Sequence, residues 1–467
     1  MMDSTTPPLG VRRSLAYAAP ALALAIVGVP LYVYIPKFYT DTVGVAVGAV
    51  GLIVLLVRLF DAVTDPLFGY LSDHTRTRFG RRRPYMAIGS LFLGALIVMI
   101  YVPPELGTVG ATVWFAVALA GLSVAWTAVS VPWESLGPEI TDSYHARTAL
   151  FGLREGMTLF GILLAVASPP AIGWLILQAG GENTDTARFA GFAAVYAPLT
   201  VLLAWVTILA IRERPRAVTV SDHSPAVVLR GFRDLFRNRP FVILILAYAV
   251  SALGSNLPAT LILYYVEYVL GSQRAELFLL LYIATGVLFL PAWVLLGRHY
   301  SKKTAWIAAM AVNTGAFVGV FFLGRGDELL YGMLTVLSGI GFGGVLALPV
   351  AMQADVIDYD EYRTGERREG QYIGLWAVTR KATSALGMGI GLSVLGLVGY
   401  TPNTEQEPIV VDTLRVLYAL VPSACNAIAL VIALRYPISP AAHRSILEAI
   451  RRRSAGENVP DPLARPV

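Results

Sequence analysis

The sequence predicts an all-α polytopic membrane protein, with twelve transmembrane helices arranged as two six-helix halves. Three observations carry this. Of 467 residues, 56% are hydrophobic and only 14% charged, with a mean hydropathy of +0.64, whereas a soluble domain carries about 25% charge. Apolar runs long enough to cross a hydrocarbon core of about 30 Å recur along the whole chain. Lysine and arginine gather in alternate connections between those runs, as they do on the inner side of a membrane.

The runs lie near 14–36, 45–71, 85–103, 111–135, 149–177, 189–211, 241–269, 276–297, 304–323, 329–355, 371–399 and 413–435. Several exceed a minimal span, as tilted or broken helices do. Residues 1–10 are polar and the first run is too long for a signal-peptide core, so no cleavable signal is expected. The connection after the second run carries Arg76, Arg78, Arg81, Arg82 and Arg83; that after the sixth carries Arg212, Arg214, Arg216, Arg230, Arg233, Arg237 and Arg239. Arg298, Lys302 and Lys303 follow the eighth run, and Arg363, Arg367 and Arg368 follow the tenth. Residues 103–110 have no lysine or arginine. Both termini and the even-numbered connections are therefore expected on the cytoplasmic side of the inner membrane.

The long sixth connection divides the chain into a half at 1–211, a linker at 212–240, a half at 241–435 and a tail at 436–467. Within the linker, 226–238 has apolar residues at helical spacing opposite arginines, the pattern of a helix lying on the membrane surface. The halves read as weak repeats. Glu139…Asp142-Ser143-Tyr144…Arg147 parallels Asp355…Asp358-Tyr359…Arg363. Two such halves with a site near the midplane form an alternating-access architecture. A single cysteine, Cys425, excludes a disulfide framework. No P-loop pattern or nucleophile–base motif occurs, which argues against an ATP-driven pump or an enzyme. The net charge of +5 is a matter of loop placement and gives nucleic-acid binding little support. No cofactor and no obligate protein partner are expected; the chain reads as a monomer in the bilayer.

Polar groups inside the runs point to function. Asp61 and Asp65 are four apart and share a helix face. Two carboxylates at one depth repel each other and are costly to desolvate. They stay charged there beside a bound cation, a nearby base or water, so they form a candidate cation site, with Arg58 one turn away. Thr127 and Ser130 share a face of the fourth run. Lys381 lies about ten residues inside the eleventh run, where a lone lysine is expensive, and Asp61 and Asp65 are its expected partners. Arg380 beside it must face another way. Arg154, near the start of the fifth run, can hold a carboxylated solute bidentately or pair with Glu155 or Glu134. Tyr34, Tyr372 and Trp376 can line a cavity or simply pack, and Pro258 suggests a broken seventh helix.

The segment Asp61-Ala62-Val63-Thr64-Asp65-Pro66…Gly69, followed by Asp73-His74-Thr75…Arg78-Phe79-Gly80-Arg81-Arg82-Arg83-Pro84, resembles the second helix and following loop of the glycoside–pentoside–hexuronide:cation symporters, the melibiose-permease group of the major facilitator superfamily. A second match runs Ala354-Asp355-Val356-Ile357-Asp358-Tyr359…Glu361…Thr364-Gly365…Arg367…Glu369-Gly370, with Lys381 at that family's intramembrane lysine. The resemblance implies a cation-coupled symporter importing a glycoside, pentoside or uronide. It implies Asp61, Asp65, Thr127 and Ser130 as the cation site for Na⁺ or H⁺, and Lys381 with Arg58 as coupling residues. Arg154, Trp133, Glu134, Tyr34 and Trp376 become candidates for the substrate. Asp73, Arg76, Arg81, Arg82, Asp142, Asp358 and Glu361 become candidates for a cytoplasmic ion-pair gate. Three departures matter. Ser130 stands where melibiose permease has an aspartate, Ala25 stands at its first-helix sugar-binding aspartate, and Glu134 replaces its stacking tryptophan. Hydroxyl and carboxylate oxygens suit a hard cation, but one fewer anion predicts weaker Na⁺ binding. The missing acids argue against a galactoside. The lysolipid transporters, a related branch, share Ser-Val-Pro-aromatic in the fourth helix, so a zwitterionic amphiphile is the alternative substrate; it requires an apolar side opening between helices.

Overall fold

The computed structural model describes residues 10–140, 144–211, 213, 235–365, 368–457 and 459–463. Twelve long helices are present among them. They are α1 (Val11–Thr42), α2 (Val47–His74), α3 (Arg83–Tyr101), α4 (Thr108–Ile140), α5 (Tyr144–Gln178), α6 (Asp185–Ala210), α7 (Arg239–Val269), α8 (Ala275–His299), α9 (Lys302–Val320), α10 (Glu328–Thr364), α11 (Glu369–Leu397) and α12 (Pro408–Ala433). Ten of these are long and apolar enough to cross a membrane on length and composition alone. α9 and α11 fall outside that group; α11 carries Arg380 and Lys381 near its middle. A shorter helix, α13 (Pro440–Ser454), lies in the C-terminal tail. The expected linker helix at 226–238 falls largely outside the described residues.

Local chemistry sets the helix starts. The side chains of Thr184, Asn238, Ser301 and Ser439 each accept a backbone N–H from the first turn of α6, α7, α9 and α13, satisfying donors that a helix cannot pair internally. α10 stops at Gly365, whose φ of 75° is the left-handed conformation that favours glycine at a helix end. α7 runs through Pro258 without interruption and changes to π-helical turns only at Tyr265–Val269. Neighbouring spans can satisfy the backbone groups that a proline frees in a membrane helix. The Pro258 break expected from the sequence is therefore absent.

The chain forms two compact units, Met1–Ala217 with Met388–Val410, and Val218–Gly387 with Val411–Val467. Part of the neighbour pattern recurs in both. In the first, α3 packs on α4 and α6, α2 on α4, and α1 on α6; in the second, α9 packs on α10 and α12, α8 on α10, and α7 on α12. A matched pair of tyrosines extends the repeat. α1 and α7 both end in π-helical turns, Phe38–Thr42 and Tyr265–Val269. From these, Tyr39 donates to the Ile100 carbonyl at 2.8 Å and Tyr265 to the Val320 carbonyl at 2.8 Å, tying α1 to the end of α3 and α7 to the end of α9.

The end of α11 joins the first unit because it meets α2 almost backbone to backbone. A Cβ on Gly396 would lie 2.8 Å from Gly48 N, and one on Gly389 would lie 2.9 Å from Leu55 Cβ. Beyond α11, the Tyr400 hydroxyl donates to Asp41 Oδ1 at 2.9 Å and Asn403 Nδ2 donates to the Asp41 carbonyl at 2.7 Å. Lys37 pairs with the same carboxylate. In the second unit, α13 docks on α10, burying Ile446 and Ala449. The Tyr362 hydroxyl donates to the Val459 carbonyl at 2.8 Å, Tyr359 donates to Asp461 at 3.0 Å, and Arg453 donates to the Tyr362 carbonyl.

Candidate functional site

The first unit holds a buried polar cluster between α2 and α4. Asp61 is 3% exposed. Its carboxylate accepts from Arg58 Nη1 at 2.8 Å, one turn earlier on α2, and from the Ser123 hydroxyl on α4. The Arg58 guanidinium also lies over the Tyr32 ring, 4.5 Å from its centroid. One turn further along α2, Asp65 Oδ1 accepts from the Thr127 hydroxyl at 2.9 Å. Ser123 and Thr127 are themselves four apart on α4, so two helices running side by side match carboxylate to hydroxyl twice in register. Ser123, Thr127, Ser130 and Thr64 are all buried. This arrangement offers four carboxylate oxygens and two hydroxyl oxygens within two helical turns, a donor set suited to a hard monovalent cation or a proton.

Ser123 is the residue sequence reading missed. In an apolar run a lone serine reads as packing between helices; its spacing of four from Thr127, matching Asp61 to Asp65, is the signal that could have found it. Ser130, expected from its position beside Val131-Pro132, is buried one turn beyond Thr127 on the same helix. Lys381 is half-buried on α11 while Arg380 is exposed, so the two do face different ways.

The residues expected at the substrate are distributed. Trp133 is 4% exposed, and its indole donates to the Tyr17 carbonyl at 2.8 Å, joining α4 to α1. The Tyr17 ring packs against both Trp133 and Phe151, at 5.8 and 6.4 Å between centroids. The Tyr17 hydroxyl is buried against Gly137, with the Arg154 guanidinium beside it. Beside it Arg154 stacks on Phe151, with 5.0 Å to the centroid, and pairs with Glu155 through Nη2 at 2.5 Å and Nε at 3.1 Å. Glu134 is exposed. Ala25 packs where α1 meets α5: a Cβ on Gly161 would fall 2.8 Å from its Cβ. Tyr34 is buried with its hydroxyl directed at the Val166 carbonyl, 3.4 Å away. In the second unit Trp376 stacks on Tyr248 at 4.1 Å.

The expected gate residues resolve into two local assemblies. In the first unit the Glu213 carboxylate accepts the backbone N–H groups of Arg81, Arg82 and Arg83 at 2.9, 3.0 and 2.9 Å. It thereby caps α3 with a negative charge, where the helix dipole favours one. Gly80, at φ 110°, makes this possible, since a Cβ there would meet Glu213 Oε1 at 2.6 Å. Arg82 reaches on to the Ser135 carbonyl at 2.5 Å. Arg76 is exposed. Asp142 and the side chain of Asp73 lie outside the described residues. In the second unit Asp358 pairs with His443 of α13 at 2.9 Å, and Asp355 pairs with Lys302 of α9 at 2.6 Å and lies 3.5 Å from His443. The Asp358 hydrogen bond raises the His443 pKa above its ordinary 6.5, aided by the charges of Asp355 and Asp358, against its burial and Lys302. Asp360 forms a bidentate pair with Arg368, at 2.9 and 2.7 Å. Glu361 is half-buried at the end of α10.

Comparison with known proteins identifies the family. Residues 16–440 match the family model described as MFS/sugar transport protein. The isoprimeverose transporter of Lactiplantibacillus pentosus is 26% identical over 438 residues, covering 91% of this chain and 88% of that one. The glucuronide carrier protein homolog of Escherichia coli K12 is 26% identical over 430 residues, covering 90% and 91%. Among solved structures, the nucleoside transporter NupG superposes with a TM-score of 0.59 at 14% identity, over 94% of this chain and all of that one, a likeness of fold alone. The chain therefore belongs to the MFS/sugar transport protein family; it is an integral membrane transporter of the glycoside–pentoside–hexuronide:cation symporter group, and not an enzyme.

Proposed function

We propose that this protein is a secondary active symporter that couples entry of a monovalent cation, Na⁺ or H⁺, to import of a glycoside, pentoside or uronide by alternating access. The observation that carries the reading is the buried α2–α4 cluster. Two carboxylates one turn apart in an apolar span are held by Arg58, Ser123 and Thr127 rather than left in lipid, and such groups mark ion pathways. A cation entering between Asp61 and Asp65 relieves their repulsion. Coupling is then a linkage free energy between ion and solute. An anionic sugar fits best. Arg154 is permanently charged and lies beside the buried Tyr17 hydroxyl, a charge that a carboxylated sugar can meet bidentately. One relative, named as a glucuronide carrier protein homolog, supports this choice. The protein acts as a monomer with both termini cytoplasmic in the inner membrane, and the Glu213 and Asp355–His443 assemblies belong to its cytoplasmic gate.

The test is uptake in proteoliposomes under imposed Na⁺ or pH gradients, with a panel of neutral glycosides, glucuronides and lysolipids. Gradient-driven accumulation of a glucuronide, lost in Asp65→Asn, supports the reading; gradient-independent equilibration of every solute refutes it. One observation favours the amphiphile alternative. An apolar cleft of about 870 Å³ opens between α8 and α10, lined by Leu277, Phe278, Leu281, Leu329 and Met333, with the Arg274–Glu328 pair at its mouth. Lysolipid uptake in the same panel would select that alternative.

A further inference from the structure

We infer that Ser123, rather than Ser130, is the second hydroxyl of the coupling-ion site and sets its ion affinity. The inference rests on the proposed α2–α4 ion site and deepens it.

Three observations support it. First, Ser123 is 6% exposed and its hydroxyl hydrogen-bonds the Asp61 carboxylate directly across the helix pair. Second, the register is periodic. Ser123 and Thr127 repeat the spacing of Asp61 and Asp65, so each carboxylate meets one hydroxyl at the same height. Ser130 is three residues past Thr127, and a further carboxylate in register would have to stand at Gly69, which has no side chain. Third, the Asp61 carboxylate is bonded through both its oxygens, Oδ2 by Arg58 and Oδ1 by Ser123. Arg58 cannot give up its proton and has no lone pair to offer a cation. The Ser123 hydroxyl can rotate, ceasing to donate to Oδ1 and presenting an oxygen lone pair to an ion seated there. It is therefore the one partner of Asp61 among the described residues able to change from donor to ligand as the ion binds. No bond is made or broken; a hydroxyl proton turns away and an ion–dipole contact replaces a hydrogen bond.

The experiment compares four variants of the full-length protein in proteoliposomes: Ser123→Ala, Ser123→Thr, Ser130→Ala and Asp65→Asn. Initial rates are read against ion concentration at saturating solute, giving a half-saturation value for the ion and a maximum rate. Ser123→Ala should raise the half-saturation value about tenfold with the maximum rate kept, since the bound ion loses an oxygen ligand whose contribution, net of the hydrogen bond it replaces, is about 1.5 kcal/mol. Ser123→Thr, which keeps the hydroxyl, should restore wild-type ion dependence, a rescue that a purely packing role does not give. Ser130→Ala should leave the half-saturation value within about twofold. If Ser130→Ala produces the shift and Ser123→Ala does not, the assignment is overturned while the ion site stands. If Asp65→Asn retains ion-driven uptake, the ion site itself is wrong, whatever the serine variants do.

Discussion

The pairing of Arg58 with Asp61 allows the structural and transport roles of one carboxylate to be separated. Asp61→Asn removes the charge opposing a guanidinium whose side chain is 14% exposed, and whose other described partner is the Tyr32 ring. Breaking a buried ion pair from one side costs about 3–5 kcal/mol, because the remaining charge stays buried and uncompensated. For a chain of 467 residues, with an unfolding entropy of about 2.1 cal/mol/K per residue, that corresponds to a fall of roughly 3–5 °C in melting temperature. The double variant Arg58→Gln/Asp61→Asn replaces the pair with two neutral amides that can hydrogen-bond each other, and most of that loss should return. The assay is tryptophan-fluorescence melting of purified protein, run alongside ion-driven uptake in the same preparations. The expected result is a split: stability recovers in the double variant and coupled uptake does not. Recovery of coupled uptake would mean that Asp61 serves only as a counter-ion to Arg58, and the ion-site reasoning would fall.

Other expectations can be checked with the same protein. Glu213→Ala leaves three N–H groups at the start of α3 without their carboxylate and should cost about 2 kcal/mol, whereas Glu213→Gln, keeping one acceptor oxygen, should cost less; melting temperatures decide. The raised His443 pKa gives the tail dock a pH dependence. Its contribution is complete below about 6.5, the free-histidine value, and is lost as pH rises through the docked value, so hydrogen exchange over 440–454 should be slow in acid and faster in alkali. His443→Gln should flatten that profile. Ser130→Asp should add a third acid near the site and increase Na⁺ dependence of uptake; unchanged ion dependence would place Ser130 away from the ion.

Some of this was legible in the sequence because a single helix carries it. Asp61, Asp65 and Arg58 lie on one element, so periodicity alone puts them together, and the motif around them named the family. Thr127 was reachable through its distance from Val131-Pro132. What escaped depends on how one helix registers against another. Ser123 looks like any small residue of a membrane span until α4 is laid beside α2. Glu213 sits among arginines in a basic connection, and only the fold brings it to the first turn of α3. Trp133 and Tyr34 are suited by type to sugar contact, and only the fold shows that each also directs its polar atom at the carbonyl of a neighbouring helix. The tail was read as a tail because α13, with its polar and basic face, carries no span signal; its two buried residues, Ile446 and Ala449, make sense only against α10.

That tail has a practical consequence for anyone who handles the protein. Val459 and Asp461 hold on to Tyr362 and Tyr359, so contacts to α10 continue as far as residue 461. A purification tag or fluorescent fusion joined directly after that point pulls on the last turns of α10. A reporter joined after residue 461 therefore calls for a long flexible spacer, and a truncation at residue 436 should produce an altered transporter rather than a shorter one.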